Sequence, residues 1–253
     1  MINKFNLEGE KMKSLIHTED MTVSYLEKPV LWDIDLDIVE NSRTVIIGPN
    51  GAGKSTLIKG ILGLIKPISG YATIWGKPIE KAYKDIAYIP QQSAVNWDFP
   101  TTVLDVVCMG RYVHLGWIKR PLKKDIEIAK RALEKMEMLE FADRQISMLS
   151  GGQKQRVFLA RAIAQDAKVY FMDEPLAGVD IKTEKIIMNT LQEFQNEGKT
   201  SIVVHHDLNT VRQYFDHVVI VNKVIVASGD IDTTFTKENI IKAYGDRMRD
   251  INV

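Results

Sequence analysis

The 253 residues carry 33 Lys and Arg against 33 Asp and Glu, with 45% apolar and 26% charged residues. That balance supports a sizeable core in one large domain or two small ones, and it excludes a bulk basic field that would hold nucleic acid or acidic lipid non-specifically. The single cysteine, Cys108, excludes an internal disulfide and a thiolate-rich metal cluster, fits a reducing compartment, and reads as a small residue of a partly buried helix.

Residues 1–13 contain Glu8 and Glu10 and no apolar core, so they read as a disordered tail and not a signal peptide. Ser14–Tyr25 and Val30–Ile38 read as strands, the second with Asp33, Asp35 and Asp37 on alternate positions, followed by the continuous apolar strand Thr44–Ile47. After a glycine-rich turn, Leu57, Ile58, Ile61 and Leu62 recur at helical spacing, and the helix should end near Gly63, before Pro67.

Thr101–Met148 has a different texture: Ile126, Ala129, Leu133 and Met136 mark one helical face, Lys130 and Glu134 the other. Val169–Met172 and Ser201–Val204 are further buried-strand candidates. Short apolar strands alternating with helices predict an α/β fold with a mostly parallel sheet covered on both faces. The best apolar run, Val218–Val226, is broken by Asn222 and Lys223 and falls far short of the roughly 18 to 20 residues of a spanning helix. A soluble or peripheral protein is expected.

Gly48, Pro49, Asn50, Gly51, Ala52, Gly53, Lys54, Ser55 and Thr56 form a phosphate-loop pattern between an apolar strand and a helix. Glycines let backbone N–H groups turn toward phosphate oxygens, the helix N-terminus adds partial positive charge, Lys54 reaches the terminal phosphates, and the Ser55 hydroxyl binds Mg²⁺. Val169–Met172 ends in Asp173 and Glu174, where an open α/β sheet puts its ligand site. Asp173 suits Mg²⁺, and Glu174 suits a general base that polarises the attacking water. Leu149, Ser150, Gly151, Gly152 and Gln153 open a helix running Gln153–Ala164 and make a second anion-ready helix start.

With that last motif the sequence closely resembles ABC-type ATPases over about Ser14 to Gly245. In that family ATP lies between the phosphate loop of one subunit and the LSGGQ motif of the other, here Ser150, Gly151, Gly152 and Gln153. The resemblance implies that Tyr25 stacks on adenine, whereas alone it would read as a core strand tyrosine. It implies that Gln91 touches Mg²⁺ and the attacking water, although Gln92 leaves the register open. Asp180 matches the loop that faces across the dimer, and His206 the histidine that contacts the γ-phosphate. His205 is assigned to spacing, and a metal site built from His205, His206 and Asp207 is disfavoured, because neighbours on a strand end rarely converge on one ion.

The fold implied is a phosphate-loop core, 14–91 and 149–227, within an ATPase domain 14–245. It has an N-terminal antiparallel β region, an inserted helical subdomain at about 92–148, and a tail at 246–253. No regulatory domain is expected after His206. The stretch Ser93–Pro100, with Trp97, running into Val103–Arg111 resembles the manganese, zinc and iron branch of the family. The implied protein is a homodimeric ATP hydrolase on the cytoplasmic face of the cell membrane. It would power an integral membrane permease supplied by an extracytoplasmic metal-binding protein, with manganese first, zinc second and iron third. One rival is a soluble ABC ATPase acting on nucleic acid or ribosomes; such proteins typically carry two nucleotide domains or a long coiled-coil insertion, and this chain has neither. Another is the ATPase of an ABC system with a different substrate, an exporter or an assembly factor, which differs by partner alone.

Overall fold

The computed structural model describes residues 14–25, 28–115 and 119–245. The expected tails, 1–13 and 246–253, lie outside the described residues. The chain forms two compact units, one running up to Tyr83 and resuming at Gly198, the other Lys84–Glu197.

In the first unit, β1 (Ser14–Ser24) pairs antiparallel with β2 (Pro29–Val39). The acids of β2 face out while Leu31, Ile34, Leu36 and Ile38 are buried. Leu31 and Ile34 lie an odd number of residues apart yet both point inward, because a register shift accompanies Asp33 at φ 43°. β3 (Arg43–Ile47) leads through the glycine-rich turn into α1 (Lys54–Ile61), which buries Leu57, Ile58 and Ile61. The helix stops at Leu62, and Gly63 follows at φ 67°, the left-handed exit that glycine adopts without a Cβ penalty. β4 (Ser69–Ile74) pairs antiparallel with β1 and with the short β5 (Lys77–Pro78).

In the second unit, β6 (Ile86–Ile89) is followed by α2 (Val103–Cys108), α3 (Tyr112–Leu115) and α4 (Lys123–Lys135). α2 starts on a capping box in which the Thr102 hydroxyl accepts from the Asp105 amide, and Cys108 is buried at its end. Ala129, Leu133 and Met136 are buried, with Lys130 and Glu134 exposed opposite. α5 (Gly151–Gln165), β7 (Val169–Asp173) and α6 (Ile181–Asn196) complete the unit, with β7 buried throughout and parallel to β6. Tyr170 of β7 stacks on Phe194 of α6, ring centroids 4.1 Å apart.

Buried Asp125 ties these helices together. It accepts from the Leu122 amide at 3.1 Å and from Arg111 Nε at 3.2 Å, while Arg111 Nη1 donates to the Ala164 carbonyl at 2.7 Å. Burial pushes the Asp125 carboxyl up, but the Leu122 amide and the Arg111 guanidinium together bring it below the usual carboxylate range.

Back in the first unit come β8 (Thr200–Val204), α7 (Val211–Tyr214), β9 (His217–Asn222), β10 (Val224–Asp230), α8 (Ile231–Thr234) and α9 (Lys237–Tyr244). β3 lies between β8 and β9, parallel to both, and β10 is antiparallel to β9. The broken apolar run is therefore a hairpin that turns at Lys223, φ 64°. No helix among the described residues is long and apolar enough to cross a membrane.

Candidate functional site

In the first unit the phosphate loop leaves the end of β3 and winds back into α1. Gly51 and Gly53 have φ of 77° and 98°, and Gly53 caps the helix with its backbone alone. Gly48 is confined by close approach: a Cβ there would lie 2.0 Å from the Val221 carbonyl oxygen of β9. The loop is also held from behind, since the Lys223 amide donates to the Ala52 carbonyl at 2.9 Å and the Trp32 amide to the Lys223 carbonyl at 2.9 Å. Lys54 is buried, its Nζ donating to the carbonyls of Gly48 at 2.8 Å and Pro49 at 3.1 Å. The ammonium is thus drawn over the loop formed by Gly48 to Gly53.

At the end of β8, His205 turns inward and His206 is exposed. His205 Nε2 lies 2.8 Å from Thr210 Oγ1, and its amide donates to the Ile46 carbonyl. Burial first, then neighbouring His206, pushes the His205 imidazole down to about 4 against a smaller opposing pull from Asp207. Among the described residues no group of three or more His, Cys, Asp or Glu side chains is placed to hold a metal ion. Tyr25, just past β1, is 53% exposed, so the alternative reading of it as a core tyrosine is set aside.

In the second unit the parallel register of β6 and β7 sets Ile89 opposite Met172, which brings the residues beyond both strand ends alongside each other. Gln91 Nε2 donates to Glu174 Oε2 at 2.8 Å. Glu174 holds φ 53°, an uncommon conformation for a residue with a side chain, while Asp173 is buried at the strand end. Ser150 caps α5: its hydroxyl accepts from the Gln153 amide at 3.4 Å, and Gln153 Oε1 accepts from the Ser150 amide at 2.9 Å. With the Gln153 amide satisfied, the amides of Gly151 and Gly152 are the outward donors of the first turn.

Asp180 caps α6, accepting from the Thr183 amide at 2.8 Å. That bond outweighs burial and holds its carboxyl below the usual range. A Cβ on Gly152 would lie 3.5 Å from Thr183 Oγ1 and 3.8 Å from Asp180 Oδ2, so the start of α5 and the loop before α6 are neighbours in one chain.

Sequence reasoning did not single out Thr210, the Lys223 turn or Asp125. Their roles rest on which side chains the fold turns toward each other or on a backbone conformation, neither of which composition signals. Gln92, on sequence alone an alternative to Gln91, donates its Nε2 to the Gly151 carbonyl at 3.0 Å.

A strand, phosphate loop and helix in one unit, with an acid pair closing a parallel strand in the other, define a phosphate-loop nucleotide-binding ATPase. The chain belongs to the ABC transporter family, whose profile matches residues 31–177. It is 53% identical to the zinc transport system ATP-binding protein of Treponema pallidum over 92% of this chain and 88% of that one. It is also 53% identical to the manganese transport system ATP-binding protein of Bacillus subtilis, over 92% and 93%.

Among solved structures it resembles a nucleotide-free ATP-binding cassette of an ABC transporter, with TM-score 0.75 and 28% identity over 91% of this chain and 94% of that one. It also resembles an ATP-binding cassette in a dimeric post-hydrolysis state bound to ADP and Pi, with TM-score 0.74 and 26% identity over 85% and 98%. The mostly parallel sheet and the N-terminal antiparallel β region are those expected of this fold. The chain is an ATP-hydrolysing member of that family.

Proposed function

We propose that this chain works as a homodimer on the cytoplasmic face of a membrane, where ATP binding and hydrolysis drive a permease that imports a divalent transition metal, manganese before zinc before iron. The observation that carries the ATPase reading is the buried Lys54 ammonium folded over a phosphate loop that opens α1. The metal reading is supported by relatives that share about half their residues with this chain over nearly their whole lengths and are named for manganese and zinc transport. The same relatives speak against the rival reading of a soluble ATPase acting on nucleic acid or ribosomes.

Backbone amides of the loop Gly48 to Thr56, Pro49 and Ala52 excepted, and the Lys54 ammonium bind the phosphates, and exposed Tyr25 stacks on adenine. The Ser55 hydroxyl and the buried Asp173 carboxylate are hard oxygen donors, the chemistry that suits Mg²⁺, with Gln91 beside them in role. Bound there, Mg²⁺ would neutralise phosphate charge. Glu174 takes a proton from water as the water oxygen bonds to the γ-phosphorus, and the bond to the ADP oxygen breaks with its electron pair left on ADP. Gln91 orients the Glu174 carboxylate and the water, and His206 donates to the γ-phosphate. Ser150, Gly151, Gly152 and Gln153 of a second copy close over the same nucleotide, with Asp180 facing across the dimer. An extracytoplasmic binding protein delivers the ion to the permease.

The test is cellular. Lys54→Ala in the chromosomal gene, under trace-metal limitation and with no redundant importer, should lower cell-associated manganese selectively in elemental analysis. A fall in zinc or iron alone moves the choice down that order. Unchanged levels of all three would remove the metal assignment and leave the ATPase assignment standing.

A further inference from the structure

Two consecutive glutamines beyond β6 send their amides to different functional segments of the second unit. Gln91 Nε2 reaches Glu174 Oε2 at 2.8 Å, and Gln92 Nε2 reaches the Gly151 carbonyl at 3.0 Å. The loop that follows is fastened to α5 again by Trp97. Its indole N–H donates to the Gln92 carbonyl at 2.9 Å. Its ring meets Phe158 edge-on, centroids 4.9 Å apart, and Lys154 Nζ stands 5.1 Å from its centre. A Cβ on Gly151 would lie 3.3 Å from Gln92 Nε2, so the amide is packed tightly against the helix start and a side chain there would make it give way by a few tenths of an ångström.

We propose that Gln92 is a positioning residue for the Ser150 to Gln153 segment and that Trp97 braces it. The bond falls on the carbonyl of Gly151, so the amides of Gly151 and Gly152 remain as donors for an anion. Helix-start amides bind an anion only when the first turn points at it, and Gln92 sets that direction from outside the helix. Consecutive Cα atoms are about 3.8 Å apart, so the backbone that carries the Gln91 amide to Glu174 also carries the Gln92 amide to α5. The orientation of the base and that of the helix start are thereby coupled through one dipeptide. This inference rests on the reading that Ser150 to Gln153 contact ATP held by a second copy.

The experiment uses the full chain, with ATPase rate measured against ATP and against protomer concentration, for Gln92→Ala, Gln92→Glu, Gln92→Met and Trp97→Phe, with Gly152→Asp as control. Loss of one neutral hydrogen bond that orients a transition-state contact should lower kcat on the order of tenfold in all three Gln92 variants. KM for ATP should stay within about twofold, because the phosphate loop is untouched. The protomer concentration at half-maximal specific activity should rise about fivefold for the same lost bond. Trp97→Phe keeps an aromatic ring, smaller than the indole, and loses the N–H, and should show a smaller fall of the same kind.

Wild-type kcat in Gln92→Ala and Gln92→Glu, with Gly152→Asp inactive, overturns the inference and leaves the dimer reading intact. Recovery by Gln92→Met, which keeps bulk but cannot donate, overturns it as well. So does a parallel loss of kcat, ATP affinity and melting temperature, which marks a merely structural residue. A fully active Gly152→Asp would remove the dimer reading beneath it.

Discussion

Gln91 Nε2 donates to Glu174 Oε2 across 2.8 Å, and Glu174 holds φ 53° beyond the last residue of a wholly buried strand. A carboxylate in an uncommon backbone conformation, held by an amide from the neighbouring strand end, is aimed by its surroundings. Glu174→Gln removes the basic oxygen and keeps the shape. It should lower kcat at least about a hundredfold with ATP affinity preserved. Sizing in ATP should then show a persistent dimer, and turnover at half the normal rate or more would refute the assignment.

Tyr25 has more than half its surface exposed, so Tyr25→Ala removes little packing. The melting temperature should hold, while KM for ATP rises several-fold at nearly constant kcat, because stacking on adenine helps ground state and transition state alike. Steady-state kinetics beside thermal unfolding separates the two effects, and an unchanged KM would end the stacking role.

Gly48 has no room for a methyl group, with the Val221 carbonyl oxygen 2.0 Å from the position it would take. Gly48→Ala must move either β9 or the loop. The strain should cost about 2–3 kcal/mol, read as a lower urea midpoint at constant slope. Because the Gly48 carbonyl also accepts from Lys54 Nζ, nucleotide binding should weaken in the same variant.

His205 gives the fold an acid sensitivity. In the native protein its imidazole takes a proton only near pH 4, against 6.5 for an unperturbed side chain. The unfolded chain therefore binds more protons between those values, and stability falls as pH drops through that window, by up to about 3 kcal/mol. Below about pH 4 this contribution is spent. Denaturant unfolding from pH 7 to 4 should show a shallower decline in His205→Gln than in the wild type.

What was readable in the chain was local. The phosphate loop, the acids after Val169–Met172 and the helix start at Leu149 to Gln153 announce themselves because each function needs a few residue types at fixed spacing. The alternating acids of β2 marked its outer face, but the register shift at Asp33 puts both Leu31 and Ile34 inward, which simple alternation does not foresee. The left-handed Lys223 is costly for a lysine, and the bonds to Ala52 and Trp32 impose it. Residue types alone left Tyr25 open between core and ligand face, because a tyrosine near a strand end suits both. Gln92 was ambiguous for a related reason: two adjacent amides look alike until one is seen to reach Gly151, 59 positions away.

The register of β6 against β7 has a consequence for how this gene can vary. A three-nucleotide insertion or deletion preserves the reading frame and is mild in a surface loop. Between Ile86 and Gln91, or between Val169 and Glu174, it would slide one strand past the other by a residue and turn alternate side chains to the opposite face. The acid pair would then fall out of step with Gln91 although every original side chain remained encoded. These two stretches act as paired rulers: substitutions can accumulate along them, but a change of length in one is survivable only if the other changes with it.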